Sequence, residues 1–298
     1  MNKMKEIEEL IENYKQQKMI HSEAAWSKLS RRIRINTLIH KVWDIGKTAA
    51  VLLLPLLLIY QYVIMPNRAQ NNMEMIHLIS APGIVTNVAL PDGSRVWLNS
   101  QSELTYPPNF HKNERTIQLK GEAFFQVTSD KKNRFNVETS EGVVVSAYGT
   151  EFNVSAFEGD ANAVVTLVKG KIETAHAHSE SRTLLEGQKA IVDTNRGNIE
   201  IMDADTYVET AWIDGKMVFR REKLENIAVK LSRKFGVSIQ LEGDAIKEWE
   251  YTATFQHETL DDILLLLQRS APITYTITRQ EQLDNKTFSK TVVTIRSK

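Results

Sequence analysis

From Thr48 to Met65 the chain carries no charged side chain. As a helix at about 1.5 Å per residue the run is roughly 27 Å long, close to the ~30 Å hydrocarbon thickness of a bilayer. Ten of its positions are Leu, Ile or Val. At the centre of a spanning helix these contribute about −3 to −6 kcal/mol in sum. Pro55 and Gln61 subtract from that, and a spanning helix tolerates a proline with a kink. A buried core helix would show a polar face, which this run lacks. A cleaved secretion signal fits poorly, because the preceding segment is far longer than a signal's basic region and no small-x-small site follows.

Flanking charge sets the direction. Arg31, Arg32, Arg34, Lys41 and Lys47 lie ahead of the run, while behind it only Arg68 comes before Arg95. The excess of positive charge on the N-terminal side predicts a cytoplasmic N-terminus, one span at 48–65 in the inner membrane, and a long exported body. Overall the formal charge is zero, yet residues 1–47 hold ten Lys/Arg against six Asp/Glu. That excess suits topology and anionic lipid. It is too sparse for a nucleic-acid surface, so no direct nucleic-acid partner is expected. With no cysteine, disulfides, thiolate metal sites and a cysteine nucleophile are excluded.

The tail, residues 1–47, reads as helical. Ile7, Leu10, Ile11 and Tyr14 fall at i, i+3, i+4, i+7, and Trp26, Leu29 and Ile33 at i, i+3, i+7. Ser22 is placed to cap the second helix. So short a segment cannot build its own core. Its stripe needs the membrane surface, its own hairpin or a groove on a partner, and groove-binding helices show this anchor spacing.

After a polar linker over 66–83, residues 84–194 turn to short alternating strands. "PDGS" at Pro91–Ser94 has turn chemistry between Val88–Leu90 and Arg95–Leu98. Further strands are expected at Thr116–Leu119, Ala123–Val127, Phe135–Thr139, Val143–Ala147, Phe152–Phe157, Val164–Lys169, Lys171–Thr174 and Gln188–Asp193. The pattern predicts an all-β sandwich or jelly-roll-like domain. Residues 212–296 predict a small α+β domain. It starts with a strand at Met217–Phe219, then a helix with Leu224, Ile227, Ala228, Leu231 and Phe235 on one face, stopped by Gly236. A strand at Val237–Leu241 and another at Tyr251–Phe255 lead to a second helix, capped by Thr259 and Asp262. Strands Ile273–Ile277 and Val292–Ile295 close it. The fold class is therefore mixed, with a helical tail, one span, a β body and an α+β end.

No catalytic constellation stands out. There is no Gly-rich phosphate loop, no nucleophile elbow and no paired carboxylates. His176 and His178 could share a strand face, but a metal site needs a third ligand and the sequence offers none. Neither metal nor cofactor is expected. A glycine at a bend before a strand is the ordinary account of Gly149–Thr150.

"LPDGSRVWLNSQSELTYP", "IQLKGEAFFQV", "FNVETSEGVVVSAYGTEFNVSAF", "VTLVKGKIE" and "LLEGQKAIV" resemble, in order, the FecR family of transmembrane sigma-factor regulators. "MVFRREKLENIAVKLSRKFGVSIQL" with "TATFQHETLDDILLLLQRS" resembles the small domain that often follows, itself similar to the signalling domain of secretins and TonB-dependent transporters. "AAWSKLSRRI" resembles the family's tail. The resemblance implies an anti-sigma factor whose tail holds an extracytoplasmic-function sigma factor, with Trp26, Leu29 and Ile33 as anchors. It implies a periplasmic body that reads the signalling domain of an outer-membrane TonB-dependent transporter. In some members the chain is cut at the matching Gly-Thr, here Gly149–Thr150. The alternatives are a membrane-anchored envelope binding or scaffold protein, for which the tail is dispensable, and an anchored hydrolase, disfavoured because no nucleophile or acid pair is visible.

Overall fold

The computed structural model describes residues 3–17, 26–31, 43, 53–61, 74–110, 114–177, 179–279 and 289–298. The chain divides into two compact units, Met1–Asn72 and Met73–Lys298. In the first, residues 3–17, 26–31 and 53–61 are helical. Among the described residues no helix is long and apolar enough to cross a membrane. The expected span at 48–65 lies partly outside them. The portion at 53–61 is a helix whose Leu53, Leu54, Leu56, Leu57, Leu58 and Ile59 are all exposed.

The second unit is mostly β. Its first part contains β1 (Ile76–Ile79), β2 (Thr86–Ala89), β3 (Arg95–Leu98), β4 (Glu103–Tyr106), β5 (Glu114–Gln126), β6 (Arg134–Thr139) and β7 (Val143–Ala147). It continues with β8 (Glu151–Ala156), β9 (Asn162–Lys169), β10 (Lys171–His176), β11 (Arg182–Leu185), β12 (Gln188–Asp193) and β13 (Ile199–Asp203). The strands form two layers that share β5. One layer has β1, β4, β6, β7, β10 and β11 around the first half of β5, and the other has β2, β3, β8, β9, β12 and β13 around its second half. The pairs are antiparallel apart from β5 with β6.

Glu114–Gln126 is thus one through-going strand, where the sequence suggested two. Gly121, in the gap between those two, is the corner at which β5 changes layers. Its φ is +100°, and a Cβ there would lie 2.4 Å from the Ser102 hydroxyl oxygen. Alternate side chains of both layers meet in one core. Phe125 stacks on Phe152 at 5.1 Å between centroids and meets Phe135 at 6.3 Å. Each such buried ring contributes about 1.5–3 kcal/mol.

The β body also reaches past the bounds read from sequence. β1 sits within the stretch assigned to a linker and pairs with β4, Ile76 opposite Tyr106. Beyond 194, β13 pairs with β12. Both are short edge strands, partly buried at alternate positions through Ile76 and Leu78 and through Ile199 and Ile201, and it is pairing with a distant or neighbouring strand that makes them part of the body.

A connector, α1 (Thr206–Thr210) and a 3-10 turn (Ala211–Asp214), leads to the α+β part. That part comprises β14 (Met217–Lys223), α2 (Leu224–Phe235), β15 (Ser238–Glu242), α3 (Asp244–Lys247), β16 (Glu250–Phe255), α4 (Leu260–Ser270), β17 (Ile273–Thr278) and β18 (Val292–Ser297). β14 pairs with β16, and β18 lies between β15 (parallel) and β17 (antiparallel). Leu224, Ile227, Ala228 and Leu231 bury the predicted face of α2, which ends at Gly236 with φ +68°. At the start of α4 the Thr259 hydroxyl accepts from the Asp262 N–H, and the Asp262 carboxylate accepts in return from the Thr259 N–H and hydroxyl. These bonds hold the Asp262 carboxyl below the usual range.

Candidate functional site

In the tail, Trp26 and Leu29 lie three apart on the helix at 26–31, 70 % and 48 % exposed. Ile33, the third predicted anchor, lies outside the described residues. Ile7, Leu10 and Ile11 on the helix at 3–17 are exposed as well. A lone amphipathic helix gains little from its own hydrogen bonds in water. Large apolar side chains left outward at helical spacing are what a partner's groove or a lipid surface would cover.

The Gly149–Thr150 bond lies just before β8. Val127 N–H donates to the Thr150 carbonyl (2.9 Å) and Asp130 N–H to the Tyr148 carbonyl (3.0 Å), fixing the backbone on both sides. Gly149 has φ +139°, and a Cβ there would stand 2.7 Å from the Ser129 Cα. Conformation and packing both demand glycine. The Thr150 methyl fills the space beside Gly170, where a Cβ would come within 2.7 Å of it. Among the described residues the buried Thr150 hydroxyl has no hydrogen-bond partner, which costs about 1–3 kcal/mol. Valine would pack the same methyl without that cost. Thr166 and Thr174 have similar orphan hydroxyls. Thr150 differs from them in following a glycine whose carbonyl is the group a hydroxyl could attack.

A third feature escaped sequence reading. Between the β body and the α+β part lies a cleft of about 710 Å³, with Asn99, Glu122 and Phe157 on one wall, Glu209 and Trp212 on the connector, and Phe219 and Lys230 opposite. The Glu122 carboxylate accepts from Asn99 Nδ2 (2.7 Å) and Asn153 Nδ2 (2.9 Å). Both amides are oriented by their other ends. Ser100 N–H donates to Asn99 Oδ1 and the Trp212 indole N–H to Asn153 Oδ1. Burial pushes the Glu122 carboxyl up, against the two amide donors and the Lys230 charge, which pull it down. By exposed area Glu122 is only half-buried. Its carboxylate is held at the cleft wall by the two amides.

His176 is buried, one ring nitrogen 3.2 Å from the Glu141 carbonyl, and His178 lies outside the described residues. Among those residues no group of three or more His, Cys, Asp or Glu could hold a metal.

Residues 78–173 match the family described as FecR protein, and residues 216–284 the family described as FecR, C-terminal. No curated protein matches the chain. Two crystal structures of a Parabacteroides distasonis protein, proposed to be an anti-sigma factor, are similar to it. The one at 1.65 Å is 27 % identical with a TM-score of 0.64, covering 75 % of this chain and 99 % of that one. The one at 2.50 Å is also 27 % identical, with a TM-score of 0.63 over 74 % and 99 %.

Proposed function

The chain belongs to the FecR family of anti-sigma factors, and from that premise we propose a single-pass inner-membrane regulator. Its tail holds an extracytoplasmic-function sigma factor, and its periplasmic body relays the state of an outer-membrane TonB-dependent transporter. It acts by binding rather than by turning over a substrate, with cleavage of its own chain as its one reaction. The observation that carries the reading is the joining, in one chain, of both FecR-type regions to a separate unit with outward apolar helices. The six exposed Leu and Ile of residues 53–61, inside the uncharged run 48–65, support the span. The α+β part supports a receiver for the transporter's signalling domain. An envelope scaffold with a dispensable tail is the competing account.

Topology tests it first. Protease added to spheroplasts should digest the body beyond Arg68 and spare the tail. A fully protected body would overturn the proposed orientation.

The same reading includes self-cleavage at Gly149–Thr150. The Thr150 hydroxyl adds to the Gly149 carbonyl, the C–N bond breaks, and an ester forms with a free amine on Thr150. Water then hydrolyses the ester, leaving a Gly149 carboxylate and restoring the hydroxyl. The glycine-only backbone conformation before the bond and the orphan hydroxyl after it support this. Purified full-length protein should run as two fragments on denaturing gels and as one associated species in solution, since strands on both sides share a core. Thr150→Val should remain whole and melt no lower than its parent. One uncut species in both proteins over several days would leave the bond as architecture alone.

A further inference from the structure

The β body and the α+β part share no core. Their buried apolar clusters have no member in common, so one can move against the other without opening either. Among the described residues the contacts that join them are mainly polar, with Pro82 against Gly236 as an apolar one, and they fall in two places. The connector is fixed to the body, with Lys189 Nζ donating to Glu209 at 2.7 Å and the Trp212 indole donating to Asn153 at 3.3 Å. The α+β part itself touches the body at the C-terminal turn of α2. There Gln101 Nε2 donates to the Arg233 carbonyl at 2.6 Å and the Ser232 carbonyl at 3.4 Å. The Arg233 carbonyl is of the kind a helix end leaves without an intrahelical partner, while the Ser232 carbonyl also accepts from the Gly236 and Val237 N–H groups. Arg233 Nη2 donates to Asp160 at 2.5 Å, and its guanidinium lies 3.8 Å from the Phe157 ring centroid.

We propose that the α+β part is a swinging arm, hinged at Gly215–Lys216 and closed by a clasp in which Gln101 and Asp160 grip the end of α2. Three features distinguish this from a fixed joint. Between hinge and clasp the surfaces do not pack but enclose the 710 Å³ cleft, and polar interdomain contacts of this kind ordinarily permit relative motion. Gln101 holds the clasp from φ +57°, an uncommon conformation for a residue with a side chain. The half-buried Glu122 also lines this cleft opposite Phe219 and Lys230, and covering a charged group carries a cost that opening relieves. Gly215, with φ +76°, separates the docked connector from β14. The clasp adjoins the start of the body, because Gln101 N–H donates to the Ser80 carbonyl just after β1. Arm position is thereby coupled to the first strand after residue 72.

The chain has no cysteine, which permits a direct test on purified full-length protein. Glu138 and Thr254, both exposed, are replaced by p-acetylphenylalanine to carry spin labels, and their separation is measured by double electron–electron resonance. The parent should show a main short distance and a minor long one. Gln101→Gly with Asp160→Asn should raise the open-to-closed ratio about tenfold, the effect of losing a hydrogen-bonded contact and weakening an ion pair. Glycine accepts φ +57° without strain, so this variant keeps its fold. Pro82→Cys with Gly236→Cys supplies the opposite arm: a Cβ at position 236 would lie 3.0 Å from the Pro82 Cβ, so a shift of about 0.5 Å reaches disulfide spacing, and mass spectrometry verifies the bridge before the distance is measured. Oxidation should remove the long distance and reductant restore it. A ratio unchanged within about twofold in the clasp variant, or a long distance persisting in the oxidised lock, would overturn the proposal. No sigma factor or transporter takes part, so failure here leaves the anti-sigma reading untouched.

Discussion

Asp92→Ala is expected to destabilise the β body by about 3–5 kcal/mol, a fall in Tm of roughly 6–20 °C for a unit of this size. The carboxylate is one half of a buried ion pair with Arg115 at 2.9 Å, the side chains 12 % and 5 % exposed. It also organises the Pro91–Ser94 turn by accepting from the Ser94 N–H (3.0 Å) and hydroxyl (2.7 Å). Ser94 Oγ in turn accepts from Thr128 N–H. The Arg115 guanidinium donates to the Thr128 and Asn133 carbonyls and lies 5.6 Å from the Phe135 ring centroid. One cluster thus joins the turn before β3, the end of β5 and the start of β6. Removing Asp92 strands a buried cation, and that isolated charge is the source of the large effect. Asp92→Asn keeps an acceptor and should cost less, about 1–2 kcal/mol. Pairing Asp92→Ala with Arg115→Met should recover only part of the loss, because two carbonyls and the Ser94 donors then lack partners. Thermal unfolding decides. An Asp92→Ala Tm within about 2 °C of the parent would mean that the cluster is hydrated and of little consequence.

How far the sequence spoke depended on the range of the interactions. The α2 face, its Gly236 stop and the Thr259–Asp262 cap were legible, because each is set by residues within a turn or two. Strands β3, β6 and β7 were legible too, with buried residues at alternate positions. Edge strand β11 was not, having a single buried residue in four. The gap left between Thr116–Leu119 and Ala123–Val127 is bridged at Gly121, a corner marked only by the 2.4 Å approach of a Cβ there to the Ser102 hydroxyl. The cleft around Glu122 was beyond reach. Asn99 and Asn153 lie 23 and 31 residues from Glu122, and Trp212 lies 59 from Asn153. A lone carboxylate beside "AFF" in a strand was the available signal, and spacing alone could not say what would face it.

Trp26→Ala is expected to weaken co-purification of the sigma factor by about 30-fold or more, a loss of at least ~2 kcal/mol. The tail lacks the length to fold around a core of its own, and Trp26 is 70 % exposed on its helix. A large aromatic with two rotatable bonds gives up little conformational entropy on docking and excludes much water, which makes it the natural central anchor. Leu29 lies three residues on and Ile33 seven, positions that share a helix face. Trp26→Ala, Leu29→Ala and Ile33→Ala together should therefore abolish binding, whereas Ser27→Ala and Ser30→Ala should leave it within about threefold. The Ser30 hydroxyl donates to the Ser27 carbonyl at 3.1 Å, an exposed local bond worth about 1 kcal/mol at most. The membrane surface competes for the same stripe, aided by Lys28 and Arg31. It predicts the reverse pattern, with the triple variant leaving sigma binding intact and the isolated tail losing its affinity for anionic vesicles. Pull-down and vesicle flotation on the same variants separate the two. If the triple variant still co-purifies at parental yield, Trp26, Leu29 and Ile33 face lipid and the sigma-factor contact lies elsewhere in the tail.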